Sequence, residues 1–325
     1  MSKSSNIGGQ AVMEGIMMRH QNQYSVAVRK PNGEIVTKIE PCKSWAQGKK
    51  IWRLPILRGM YSFVESLVVG MQCLTYSASF FDEEDAELES SAKKEILNKK
   101  EKKEKDENKK EKQEKILMYA TVAVSICFSI GLFIVLPYFI ASILRTVTQS
   151  EAIISIAEAC VRLLIFFLYI VLISKMEDIQ RVFMYHGAEH KCINCIEQGM
   201  ELNVENVMKS SKEHKRCGTS FLLFVMFVSV IFFLFIRVPS PWLRVLVRIL
   251  LMPVIAGVSY ELIRWAGNSE HPVVSLLSKP GLALQRLTTK EPEADMVEVA
   301  ICAVEAVFDW KAYLEELKDD TKKED

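Results

Sequence analysis

Apolar residues follow three different spacings along this chain, and each predicts its own kind of element. In Tyr24–Lys30 and Ile35–Glu40 apolar and polar residues alternate on either side of Pro31-Asn32-Gly33-Glu34, a pattern that predicts two antiparallel strands joined by a tight turn. The segment before them, Gly8–Arg19, is apolar and glycine-bounded, which suits a further strand or a close-packed turn. Residues 1–53 therefore read as a small β unit. From 54 to 81 the chain is apolar but broken by Arg58, Glu65 and Gln72, which predicts a helix buried against membrane spans or lying at the bilayer interface, with a fifth span as the lesser alternative. Four longer, mostly apolar runs follow, at about 116–144, 152–174, 220–238 and 242–263, each near the length that a bilayer core requires. The predicted fold class is mostly α: a polytopic membrane helical bundle of about four spans with a small N-terminal cytoplasmic β unit.

The polar stretches between these runs set the topology. Residues 82–115 are almost entirely Asp, Glu, Lys, Asn and Ser, with no apolar face, and read as a charged linker or an exposed charged helix. The bundle, 116–263, is interrupted by the loop 175–219, which carries Lys175, Arg181, Lys191, Lys209, Lys212, Lys215 and Arg216, whereas the connections at 145–151 and 237–244 carry few positive charges. Positive charge favours the cytoplasmic side, so this loop and both termini of a multi-pass protein of the cell membrane are expected there. Glu158 and Arg162 stand four apart inside the second span, where they are expected to pair on its inward face, with no other charge deep in the spans to join them. In the C-terminal region, 264–325, Met296, Val297, Ala300, Ile301, Val304 and Val307 recur at helical spacing behind Glu293 and Asp295, which predicts an amphipathic packing helix.

Composition narrows the function classes. A net charge of +1 provides no basic field for nucleic acid and no acidic excess for a basic partner. The eight cysteines are scattered, two of them (Cys127 and Cys160) within apolar runs, and read as reduced thiols rather than as a disulfide framework. Met1–Arg19 has no apolar signal core, so insertion is expected to be directed by the internal spans.

The sharpest chemical signal is Tyr185-His186-Gly187-Ala188-Glu189-His190, which contains His-x-x-Glu-His. On a helix His186 and His190 share a face one turn apart, so both imidazoles can reach one ion, and Glu189 stands beside them to orient or deprotonate a water. The same geometry puts Ile193 and Glu197 on the histidine side and Cys192 and Cys195 on the other, where they read as ordinary thiols. A second cluster at the mouth of the third span, Glu213-His214-Lys215-Arg216-Cys217, supplies two further candidate ligands, His214 and Cys217. Glu261 in the fourth span follows at a distance suited to a third, carboxylate ligand, with an ion pair to Arg264 or Arg216 as the alternative. Glu14 is read as a partner for an arginine such as Arg19 or Arg58.

With Gly9–Arg19, Leu57-Arg58-Gly59, Tyr185–Lys191, Arg216–Phe221, Ser259–Glu261, Pro280–Leu282 and Leu287–Thr289 in view, the sequence resembles the bacterial YqhQ family of membrane proteins, labelled predicted metal-dependent enzymes. One departure is Lys215, where that family usually has proline. The resemblance implies a metal and adds no reaction. Two readings of different class follow. In the first, a divalent metal, with zinc the best match to imidazole plus thiol or carboxylate, is held by His186 and His190 together with one or two of His214, Cys217 and Glu261, and Glu189 is the base of a hydrolase. Its substrate is left open: a membrane peptide, a lipid headgroup or another interfacial molecule. In the second, the cluster is a structural site in a non-enzymatic membrane adaptor that binds other membrane proteins. A transporter ranks third, because few polar residues or helix breaks lie at the midplane.

Overall fold

The structure, a computed structural model, describes residues 4–42, 54–91, 103–214, 217–236, 238, 240–267 and 272–324. The chain divides into two units, the first made of Met1–Asp82, Ile170–Ser229 and Met252–Asp325, the second of Glu83–Tyr169 and Val230–Leu251.

The first unit opens with strands β1 (Gly8–Val12), β2 (Gly15–His20), β3 (Gln23–Arg29) and β4 (Ile35–Pro41), an antiparallel meander in the order β1-β2-β3-β4. The Asn32-Gly33 turn joins β3 to β4 as the alternation requires, with Val28 opposite Val36 and Arg29 opposite Ile35. Because side chains alternate across a strand, the sheet has two apolar faces. Ile16, Met18 and Ala27 pack against helices α5 (Glu177–Glu197) and α10 (Ala294–Glu305), where they meet Tyr185, Ala188, Ile193, Met296, Ala300 and Val304. Met17, Tyr24, Val26 and Val28 pack on the other side against Val69 and Cys73 of α1 (Leu57–Ser91). Coverage on both faces explains why Gly15–Met18 is buried at every position. It also fixes α5, which carries His-x-x-Glu-His, against a sheet. The amphipathic segment after Glu293 forms α10, and its apolar positions Met296, Val297, Ala300 and Val304 are fully buried.

Among the described residues four helices are long and apolar enough to cross a membrane: Tyr119–Thr146, Glu151–Ile173, Gly218–Phe235 and Trp242–Ala266. They agree with the four apolar runs to within a few residues and put the chain in contact with a lipid bilayer. The first combines the end of α2 (Lys103–Ile130), a π-helical turn at Gly131–Val135, α3 (Leu136–Ser142) and a 3-10 turn; the others are α4 (Glu151–Ile173), α7 (Gly218–Phe235) and most of α8 (Pro241–Gly267). Among the described residues the remaining helices are α6 (Val204–Lys209), α9 (Pro272–Thr288) and α11 (Trp310–Glu324). The charged segment is helical on either side of 92–102, which lie outside the described residues.

Within the second unit the expectation of a lone Glu158–Arg162 pair needs correction. Arg162 Nη2 does donate to Glu158 Oε1 at 2.6 Å, but Arg248 of α8 donates to the other carboxylate oxygen at 2.8 Å. All three side chains are buried, and both guanidinium groups stack over Phe233 at 4.8 Å. Read along the sequence, Arg248 passes for one of two arginines near the start of an apolar run; packing turns it inward. Arg162 has a further task. Pro137 has no N–H to offer the carbonyl of Phe133 one turn earlier, and Arg162 Nε donates to that oxygen at 3.2 Å instead. The π-helical turn sits directly before this proline, where helix hydrogen bonding is already interrupted.

Candidate metal centre

The candidate centre is built on α5, which enters from an extended Met176 with Glu177 and Asp178 in its first turn to complement the dipole. His186 and His190 face the same side, their ring centroids 4.4 Å apart. Each ring is anchored through Nδ1 to a backbone carbonyl: His186 to Thr288 O at 2.9 Å, His190 to Lys212 O at 2.6 Å. A carbonyl can only accept, so both Nδ1 atoms carry a proton, and in the neutral rings the lone pair is on Nε2. Metal-binding histidines are oriented in this way by their surroundings.

The third member comes from the mouth of α7. Cys217 is buried, its Sγ lies 3.2 Å from His186 Nε2, and it accepts the backbone N–H of Thr219 at 3.3 Å. The potential ligand atoms of His186, His190 and Cys217 all lie within 4.8 Å of one another, so this group could hold a metal ion. They face a cavity of about 80 Å³ that Glu189, His214 and Gly9 also line, room for an ion with one or two waters, given that a liquid water takes up about 30 Å³.

Glu189 is fully buried, with one oxygen 4.0 Å from His186 Nε2. Burial raises its carboxyl above the ordinary range, while His186 and the Gly9 N–H pull the other way. Gly9 permits this arrangement: a Cβ there would stand 2.8 Å from the Glu189 side chain.

His214 also borders the cavity, its ring centroid 5.6 Å from that of His190 and its Nε2 3.8 Å from Glu197. Glu197 in turn accepts from the N–H and hydroxyl of Ser5 at 2.8 and 2.7 Å. The backbone of His214 is clamped by Gln285, which accepts its N–H at 2.9 Å and donates to its carbonyl at 2.7 Å. Gln285 is completely buried in α9.

The remaining candidates lie elsewhere. Glu261 is bound by Arg58 through two contacts, at 3.1 and 2.5 Å, and is not in the group whose ligand atoms converge. Its proposed partner Arg216, with Lys215, lies outside the described residues. Glu14 pairs with Arg181 at 2.5 and 2.6 Å, while Arg19 binds Glu65. Cys192 and Cys195 are buried in the core that α5 shares with the sheet, α6 and α10, and neither belongs to the converging group.

The small residues inside the motif have a reason as well. Lys290 donates its N–H to Phe183 O at 2.9 Å, so the chain after α9 runs directly across α5 at Gly187, where a Cβ would overlap the Lys290 carbonyl oxygen. The same crossing segment supplies the Thr288 carbonyl that orients His186. A buried Lys191, held by the carbonyls of Met208 and Ser210 and by Glu291, ties down the stretch that leads to Lys212, the anchor of His190.

Fold and site together define a multi-pass membrane protein with a histidine–histidine–cysteine group between a small sheet and the start of a candidate span. The family described as "Protein of unknown function (DUF1385)" matches residues 54–310, and the chain belongs to it. A curated relative is "Uncharacterized protein YqhQ" of Bacillus subtilis (strain 168), 35% identical over 302 residues that make up 90% of this chain and 89% of the relative. No solved structure matches the chain.

Proposed function

We propose that this protein is a membrane-integrated metalloprotein whose centre is held by His186, His190 and Cys217, and that it works as a metal-dependent hydrolase with Glu189 as general base. The observation that carries this reading is the pair of Nδ1–carbonyl hydrogen bonds, which leave two imidazole lone pairs and a buried sulfur converging on one cavity. Two nitrogens and a sulfur suit zinc among the common divalent ions. Bound there, such an ion would supply Lewis acidity and make water easier to deprotonate. Glu189 lines the same cavity, and its role is to take a proton from water and return it to a leaving group. Gly9 holds the carboxylate in place, and the fixed carbonyls of Thr288 and Lys212 hold the rings. Glu261, engaged by Arg58, takes no part. The lysines and arginines of 175–219 support a cytoplasmic placement for the site and both termini.

A second reading has a specific observation in its favour. His214 lines the same cavity, and a third imidazole would complete four protein ligands and close the site, the arrangement of a structural zinc in an adaptor.

Elemental analysis of detergent-purified protein separates these readings. About one equivalent of zinc is expected in the wild type and in Glu189→Gln, and none in His186→Ala/His190→Ala. Zinc retained in His214→Ala supports an open, hydrolytic site, and zinc lost there supports the closed one. Equal metal content in the wild type and the double histidine variant would refute both.

A further inference from the structure

We propose that α1 is laid into one leaflet of the bilayer by an apolar stripe running from Ile56 to Leu74, a lipid contact additional to the four candidate spans. On this helix Val64, Leu67, Val68, Met71 and Leu74 are spaced for one face and are 44, 58, 52, 47 and 43% exposed. Ile56 continues the stripe at the start. The two charged residues of 54–81 point the other way: Arg58 binds Glu261 and Glu65 binds Arg19 at 2.7 Å. The opposite face is covered by the sheet through Val69 and Cys73. An uninterrupted apolar face of this length is a surface that water disfavours.

What covers it is indicated by the neighbours of α1 within the same unit. Phe63 stacks on Phe221, in the first turn of the candidate span α7, with ring centroids 5.6 Å apart. Gly59 meets Gly257 of α8 with no side chain between them, since a Cβ on Gly59 would lie 2.6 Å from the Gly257 carbonyl oxygen. Contacts between small residues of this kind bring helix backbones together in membranes. Gly257 stands nine residues before Ala266, where the span ends, a rise of roughly 14 Å into a hydrocarbon core about 30 Å thick. The start of α1 is therefore packed against a span near the middle of its depth, and Phe63 lies close to the edge. Leu222, Phe227 and Met252 of the neighbouring α7 and α8 are likewise exposed apolar side chains, and acyl chains are the occupant of the stripe. Glu65 and Arg58, masked from lipid by their partners, dilute the segment's hydropathy without spoiling this face.

The test uses the full chain in nanodiscs of phosphatidylcholine and phosphatidylglycerol, with the incompletely buried Cys127, Cys160 and Cys302 replaced by Ala. A bimane probe is attached in turn to Leu67→Cys, Met71→Cys, Phe227→Cys as a span control and Ile39→Cys as a control on the edge strand β4. Nitroxide groups on the acyl chains are expected to remove most of the emission at Leu67 and Met71, as at Phe227, and to leave Ile39 almost unchanged. Emission at Leu67 and Met71 that resists acyl nitroxides but yields to a water-soluble quencher would overturn the proposal. So would probes shielded from both quenchers, which would mean a protein partner or a second copy on this face. All these positions are exposed, so the substitutions leave the packed core intact.

Discussion

Replacing Glu158 by Ala is expected to destabilise the protein by about 3–5 kcal/mol, the usual cost of removing one partner from a buried ion pair. Here the loss is sharpened because one carboxylate serves two guanidinium groups: Arg162 Nη2 and Arg248 Nη2 bind separate oxygens at 2.6 and 2.8 Å. Without it two buried cations would face each other in helices that meet lipid. Arg162 would be drawn from the Phe133 carbonyl, so the damage would reach the proline break in the first span. Unfolding in mixed micelles followed by circular dichroism reads the effect. A triple replacement of Glu158, Arg162 and Arg248 by Met should recover most of the loss, because no uncompensated charge is left behind. Wild-type stability in Glu158→Ala would show that the carboxylate carries no structural load.

The second large effect is expected from a single methyl group. In Gly187→Ala the new Cβ would stand far inside van der Waals contact with the Lys290 carbonyl oxygen, a backbone atom that cannot rotate away. Overpacking of this kind costs about 1–3 kcal/mol or more. To relieve the overlap, the segment 288–290 must move off α5. That segment donates from Lys290 N to Phe183 O and offers Thr288 O to His186 Nδ1. The variant should therefore lose metal affinity as well as stability, although residue 187 bears no ligand. Zinc titration and thermal melts of the same preparation check this. A variant that is destabilised yet binds zinc normally would mean that the Thr288 contact does not orient the ring.

These two sites show what could and could not be read from the chain. Local periodicity sufficed for the Asn32-Gly33 hairpin and for the four apolar runs, since alternation and apolar length each admit few structures. It also sufficed to place His186 and His190 on one face of α5, because one helix fixes those angles. What depends on a meeting of distant segments was hidden. Arg248 lies ninety residues from Glu158, and nothing in its own apolar neighbourhood marks it as an inward cation. Of the ligand candidates beyond α5, Cys217 reaches His186, whereas Glu261 meets an arginine on α1 that the sequence did not single out for it. The anchors of the two rings are backbone carbonyls of Thr288 and Lys212, groups that every residue has and that leave no trace in a sequence.

X-ray absorption at the zinc edge of the zinc-loaded, detergent-purified protein tests the centre most directly, because it sees the atoms around the ion rather than a consequence of binding. One sulfur at about 2.3 Å and nitrogens at about 2.0–2.1 Å are expected in the shell, the sulfur vanishing in Cys217→Ser. A wild-type shell without sulfur, or a spectrum that Cys217→Ser leaves unchanged, would contradict this.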